Sequence, residues 1–183
     1  MRGLLIGRFQ PFHNGHLSLV EQVAADVDEM IIGIGSAEKS HSVRNPFTGG
    51  ERLQMISNVT SSFETQIYPI PIVDLDRSSV WVQHVMSMCP HFDVVYSNNP
   101  LVRRLFVEHG FYVASTPLYM REQYRGTEVR RRMLVNEEWS KLVPEPVRTV
   151  INDIKGVQRL QRLSSYTNPP EKNRTVTKSE PSH

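Results

Sequence analysis

The chain has 183 residues, 39% apolar and 22% charged, with a formal net charge of +2. That is one domain's length with a globular composition, enough to bury a core without a disulfide or structural metal. The small charge argues against a protein that coats nucleic acid, no apolar run approaches the ~20 residues of a membrane-spanning helix, and a single cysteine, Cys89, excludes an internal disulfide or a cysteine-rich zinc site.

The first residues, Met1-Arg2-Gly3-Leu4-Leu5-Ile6-Gly7-Arg8, hold too short an apolar core for a secretory signal. With the lone cysteine, this points to a reducing cytosol. Gly3–Ile6 is a short apolar run that ends in glycine, the pattern of a buried strand. Leu17, Val20, Val23, Ala24 and Val27 then recur at helical spacing, and Met30–Ile34 reads as a second buried strand. Thr48 and Glu51 have the spacing of a capping box and predict a helix carrying Leu53, Ile56 and Val59. Ile67–Val73 reads as a third strand, made irregular by Pro69 and Pro71. A helix around Val80–Met88, a strand Asp93–Tyr96, a helix Pro100–His109 and a strand Phe111–Val113 follow. Helical segments Thr127–Leu134, Pro144–Ile154 and Val157–Leu163 close the body. From Ser164 to His183 only Tyr166 and Val176 are apolar, so the expected division is a domain over 1–163 and a disordered tail over 164–183. Strand–helix alternation predicts an α/β fold, a parallel sheet with helices on both faces. Ligands of such sheets bind beyond the carboxyl ends of the strands.

The chemistry-bearing segment is Gly7-Arg8-Phe9-Gln10-Pro11-Phe12-His13-Asn14-Gly15-His16, where the first strand passes into the first helix. Gly7 permits a tight exit, and Gly15 lets backbone approach a ligand. The helix's first turn offers unpaired N–H groups and partial positive charge to an anion. His13 and His16, three apart, can each donate an imidazole N–H to a phosphate oxygen. Taken singly, such histidines also fit loop solvation or a helix cap. As a metal pair they lack a nearby third ligand.

The second segment is Gly126-Thr127-Glu128-Val129-Arg130-Arg131-Arg132. It fits a second phosphate clamp, with Thr127 and a helix N-terminus on one oxygen and Arg130 on another. It also fits a solvated basic helix start. Basic residues there would oppose the helix dipole, and a bound polyphosphate would resolve that conflict. Arg121, Arg125, Arg130, Arg131 and Arg132 fall together, and arginine's donor fork suits phosphate.

The first segment resembles the HxGH signature of the nucleotidyltransferase superfamily in its longer form GxFxPxHxGH, matched by Gly7, Phe9, Pro11, His13, Gly15 and His16. Thr127, Val129 and Arg130 resemble the superfamily's late ISSTxxR motif, with Gly126 where a serine is usual. Residues 33–48, Asp74-Leu75-Asp76 with Val80-Trp81-Val82, and Tyr96-Ser97-Asn98-Asn99-Pro100 are similar to the archaeal-type nicotinamide-nucleotide adenylyltransferases over about residues 2–160. In that family Asn98 stands where glycine is common.

The resemblance implies a Rossmann-like nucleotidyltransferase fold and transfer of AMP from ATP to nicotinamide mononucleotide (NMN), giving NAD and pyrophosphate. It implies His13, His16 and Arg130 as catalytic. It implies Gly7, Arg8, Phe9, His13, Gly15, His16, Arg44, Gly126, Thr127 and Arg130 as ATP-binding, and Asp74, Trp81 and Asn99 as NMN-binding. Read as residues alone, Arg44 also fits a surface charge, Trp81 core packing, Asp74 a cap and Asn99 a turn. Mg²⁺ or another divalent cation is expected mainly on the ATP phosphates, with no dedicated protein site. A cytoplasmic homo-oligomer with no nucleic-acid or membrane partner completes the expectation. Competing readings are a relative acting on phosphopantetheine, FMN or an alcohol phosphate, and a nucleotide-binding regulator without turnover. The Gly33-x-Gly35 pair lacks the third glycine of a dinucleotide fingerprint.

Overall fold

A computed structural model describes residues 1–115 and 125–167. Among them, five strands form one parallel sheet: β1 (Arg2–Gly7), β2 (Glu29–Ile34), β3 (Gln66–Pro71), β4 (Val94–Tyr96) and β5 (Tyr112–Ala114). Their order is β3-β2-β1-β4-β5. The helices are α1 (Asn14–Asp26), α2 (Gly49–Thr60), α3 (Ser78–Met88), α4 (Pro100–Glu108), α5 (Gly126–Leu134), α6 (Glu145–Asp153) and α7 (Gly156–Thr167). Among the described residues no helix is long and apolar enough to cross a membrane.

Side chains alternate across the pleat, so the apolar runs feed two cores. Leu5 lies beside Ile32 and Tyr96, and this face packs on α1, α2 and α5–α7. Leu4 lies beside Ile31 and Val95, and this face packs on α3 and α4 through Val82, Val85 and Phe106. The strand order switches sides between β1 and β4, so the loops that follow these two parallel strands part and leave a crevice at the carboxyl ends.

Pro69 and Pro71 are tolerated because β3 is an edge strand. They stand two apart, so their missing N–H groups share one side. Ile72 N donates to Ile34 O at 2.9 Å, which assigns the opposite parity to β2 and leaves the prolines facing the open edge. The Thr48–Glu51 capping box forms as predicted, with bonds of 3.1 and 2.9 Å. Glu51 also receives both arms of Arg159 from α7, at 2.7 and 2.8 Å. Burial alone would raise the Glu51 carboxyl; the bonds from Arg159 and Thr48 outweigh it and hold it below its ordinary value. The last helix runs to Thr167, four residues beyond the boundary expected at Leu163, and the remainder of the expected tail lies outside the described residues.

Candidate active site

Strand β1 ends at Gly7, and two residues later the chain turns through a left-handed φ of 49° at Phe9. The Phe9 ring folds back over the strand end. A Cβ on Gly7 would lie 2.8 Å from that ring, so only glycine fits. Phe9, at 2% exposure, is a wall rather than an open contact surface. Its ring meets the edge of His16 at 4.7 Å and stacks on Phe12 at 5.8 Å.

His13 is the N-cap of α1, and with His16 it forms a reciprocal capping box. His16 N–H donates to Nδ1 of His13, and His13 N–H donates to Nδ1 of His16, each at 3.3 Å. The two rings stack 3.6 Å apart at 18°. Because both Nδ1 atoms accept, each neutral ring carries its proton on Nε2. Neither ring keeps a lone pair for a metal. Burial, then the charge of Arg130, pushes His13 down to about 4. Burial, then His13, holds His16 well below its ordinary value. Both imidazoles are therefore neutral N–H donors at pH 7 in the unliganded chain. The cap also revises one expectation: the first-turn amide of His16 is already engaged by His13.

Helix α5 also opens on the crevice. Arg125 is its N-cap and makes no side-chain cap bond. Gly126 and Thr127 open that helix beside the histidine turn, and Arg130, 8% exposed, donates to Gln10 O at 2.5 Å. Burial, then Arg8 and Arg44, lowers the Arg130 guanidinium to about 10. Burial and Arg44 likewise lower Arg8, partly offset by Asp74. Three cations thus act on one another across this space. Arg8, Gln10, His13, His16, Thr127 and Arg130 line a cleft of 460 Å³.

The expected dipole conflict on α5 is absent. The helix ends at Leu134, which puts Arg131 and Arg132 in its last turn and Glu128 in its first, the favourable polarity. Arg131 pairs with Glu128 and Glu137, and Arg132 with Glu128, so these two form the solvated face. Arg121 lies outside the described residues.

Gly126, the departure from serine, has a steric reason. A Cβ there would lie 3.0 Å from Gln10 O and 3.1 Å from Nη1 of Arg130. We expect Gly126→Val to displace Arg130 and lower kcat/KM by roughly 10–10²-fold, with a thermal melt close to that of the native chain. Steady-state kinetics beside a melt checks this.

A smaller pocket of 180 Å³ lies near the end of β3, lined by Asp74, Leu75, Ser78, Trp81, Leu101 and Val102 among others. Trp81 is half-buried, edge-on to Phe106 at 5.7 Å. The Asp74 carboxylate accepts from Ser36 N (3.2 Å), Ser36 Oγ (2.7 Å) and Lys39 Nζ (2.9 Å). Burial raises its carboxyl, but Lys39 and Ser36 outweigh that and hold it below the ordinary value. Asn99 is not in this lining. Its Oδ1 caps α4, accepting from Leu101 N (3.0 Å) and Val102 N (3.3 Å). Its position therefore supports the two leucine–valine wall residues that follow it. Asn98 takes no left-handed φ, so the turn does not require glycine there.

Two residues were not singled out from sequence. Gln10, 4% exposed, pairs doubly with Phe47 backbone at 2.8 and 3.0 Å, tying the histidine turn to the loop that carries Arg44. Arg52 is 0% exposed on α2. Its signal is visible in retrospect: Arg52, Met55, Ile56 and Val59 follow the i, i+3, i+4, i+7 core pattern, with a cation in the first place.

The cytidylyltransferase-like family model matches residues 4–132. Nicotinamide-nucleotide adenylyltransferases of Methanolobus tindarius and Halorubrum lacusprofundi are 55% and 52% identical, over 89% and 90% of this chain and 94% and 93% of those proteins. That of Methanosarcina acetivorans is 53% identical over 90% of this chain and 95% of its own. A crystal structure of a bifunctional NMN adenylyltransferase/ADP-ribose pyrophosphatase from Francisella tularensis, complexed with AMP and a manganese ion, superposes with a TM-score of 0.73 at 21% identity. The match covers 90% of this chain and 53% of that one, so this chain spans about half its length and the likeness speaks for the fold. With a signature turn at the carboxyl end of β1, the start of α5 beside it and relatives at this identity along the whole body, the chain belongs to the nicotinamide-nucleotide adenylyltransferases of the cytidylyltransferase-like family.

Proposed function

We infer that the chain transfers AMP from ATP to nicotinamide mononucleotide, yielding NAD and pyrophosphate. The observation that carries this reading is a cleft at the β1/α1 turn lined by His13, His16, Arg8 and Arg130, together with a pocket holding Trp81 on the same carboxyl edge of the sheet. A 5′-phosphate oxygen of the mononucleotide attacks the α-phosphorus of ATP in line. The new P–O bond forms as the bond from that phosphorus to the bridging oxygen breaks, and pyrophosphate leaves with the electron pair. The attacking phosphate is already an anion, so neither a protein nucleophile nor a general base enters. Cys89, whose thiol burial pushes up to about 11, is unsuited to covalent catalysis.

In this reading catalysis is positioning and charge stabilisation. Nε2–H of His13 and of His16 donates to the α/β-phosphate oxygens, His16 nearest the reacting centre. Arg8, Arg44 and Arg130 take up the charge that moves onto pyrophosphate. Thr127 and the start of α5, with Gly126 admitting close backbone approach, receive a terminal phosphate oxygen. Gly7, Phe9 and Gly15 shape the turn. Among the described residues the cleft's lining has no carboxylate, and a divalent cation, Mg²⁺ in this proposal, would enter with ATP, held mainly by phosphate oxygens and water. On the acceptor side Trp81 offers a stacking face and Asp74 an acceptor for a carboxamide or ribose hydroxyl. Asn99 acts through the α4 cap. The setting proposed is cytoplasmic.

A coupled assay for NAD and pyrophosphate from ATP and NMN tests the reading directly. Turnover of phosphopantetheine or FMN in its place would assign another acceptor, and nucleotide binding without pyrophosphate release would make the chain a regulator. We expect Trp81→Ala to weaken NMN affinity roughly tenfold with ATP affinity little changed, measured by KM for each. Equal losses for both substrates would reduce Trp81 to packing.

A further inference from the structure

Arg52 is an arginine with no exposed surface, and among the described residues no carboxylate lies within ion-pair distance of it. Buried cations are ordinarily paired. This one is satisfied by backbone instead. Nε donates to Thr48 O at 3.1 Å, Nη1 to Arg8 O and Gly35 O at 2.9 Å each, and Nη2 to Ser36 O at 2.9 Å and Ala37 O at 3.3 Å. A guanidinium has five N–H groups, and these five carbonyls match them.

Four of the carbonyls belong to two turns with special backbone, and the fifth, Thr48 O, is the N-cap of α2 itself. Arg8 O lies between the glycine that ends β1 and Phe9 at φ 49°; Ser36, after β2, has φ 50°. Left-handed geometry in such residues persists only where surroundings over-determine it. The first turn leads to His13, His16 and the cleft. The second reaches Asp74, which holds Ser36 by its amide and its hydroxyl. Gly35 N also donates to Gly7 O at 2.9 Å, so the two turns are adjacent.

We propose that Arg52 is a positioning residue for adenylyl transfer: its buried guanidinium braces the Arg8 turn and the Ser36 turn together, and so sets the triphosphate cleft against the mononucleotide pocket. The inference rests on the function argued above and adds a residue that touches neither substrate. Lysine keeps the charge but has three donors, so Arg52→Lys frees at least two of the five carbonyls.

The test compares Arg52→Lys with Val59→Ala, a core truncation on the same face of α2. Both are assayed at a temperature where circular dichroism gives the native spectrum, with active sites counted by NAD binding. For Arg52→Lys, kcat per active site falls about 10²-fold and KM rises for both ATP and NMN. For Val59→Ala, stability falls while kcat and both KM values per active site stay native. Native kinetics in Arg52→Lys, or a profile equal to that of Val59→Ala, overturns the proposal. Ser36→Ala, a hydroxyl-only change, reads the second turn without disturbing Arg52. It raises KM for NMN and leaves that for ATP, and an unchanged KM for NMN overturns the link to the acceptor pocket even if Arg52→Lys does not fold. Absence of NAD formation by the native chain would count against the function, whereas an active native chain with an indifferent Arg52→Lys counts against this inference alone.

Discussion

His16→Ala lowers kcat by roughly 10²–10³-fold with the fold retained, the usual cost of losing one transition-state donor. The ring does two separable things. Its Nδ1 accepts the His13 N–H at 3.3 Å and completes the cap of α1. Its Nε2–H is the donor left by that bond, on a ring that lines the cleft together with Arg130 and Thr127. Alanine removes both. His16→Asn can restore the acceptor near the backbone but cannot reach where Nε2 was, so it recovers stability and not rate. Steady-state kcat beside thermal melts for the two variants separates the roles. Turnover near native in His16→Ala would remove histidine donation from the mechanism, and a rate recovered by asparagine would make the residue a cap alone.

Local signals made much of this molecule legible. Met30–Ile34 is apolar throughout because β2 is central and buried on both faces. Thr48 and Glu51 announce a helix start because a capping box is complete within four residues. His13, His16 and Arg130 stood out because donors clustered at glycine-marked turns suit phosphate. What stayed hidden depended on distant partners or on where an element stops. Arg131 and Arg132 oppose the dipole only if α5 continues; it ends at Leu134, which reverses the sign of their contribution. Asn99 before a proline reads equally as ligand contact or cap until Leu101 N and Val102 N are found on its oxygen. The job of Arg52 lies in carbonyls up to 44 residues away, a relation no periodicity encodes.

Stability of the unliganded chain should fall as pH drops from about 6.5 towards 4, and His13 should carry about 3 kcal/mol of that fall. Its imidazole is pushed down to about 4, first by burial and then by Arg130. In the unfolded chain it titrates near 6.5. Between these values the unfolded state binds the extra proton and the folded state does not, so protonation favours unfolding. Above 6.5 neither state is protonated there and the contribution is flat. His16, lowered by burial and by His13, adds in the same direction. His13→Asn isolates the effect, since asparagine is a good N-cap whose oxygen can accept from His16 N without titrating. Melts of both proteins between pH 4.5 and 7.5 should diverge at the acid end, with the asparagine variant losing less. Saturating ATP should flatten the native slope as well, because phosphate oxygens favour the imidazolium and raise its pKa in the complex. A native melt that ignores pH across this window, or an asparagine variant with the same slope, would mean that the ring is not held neutral in the folded chain.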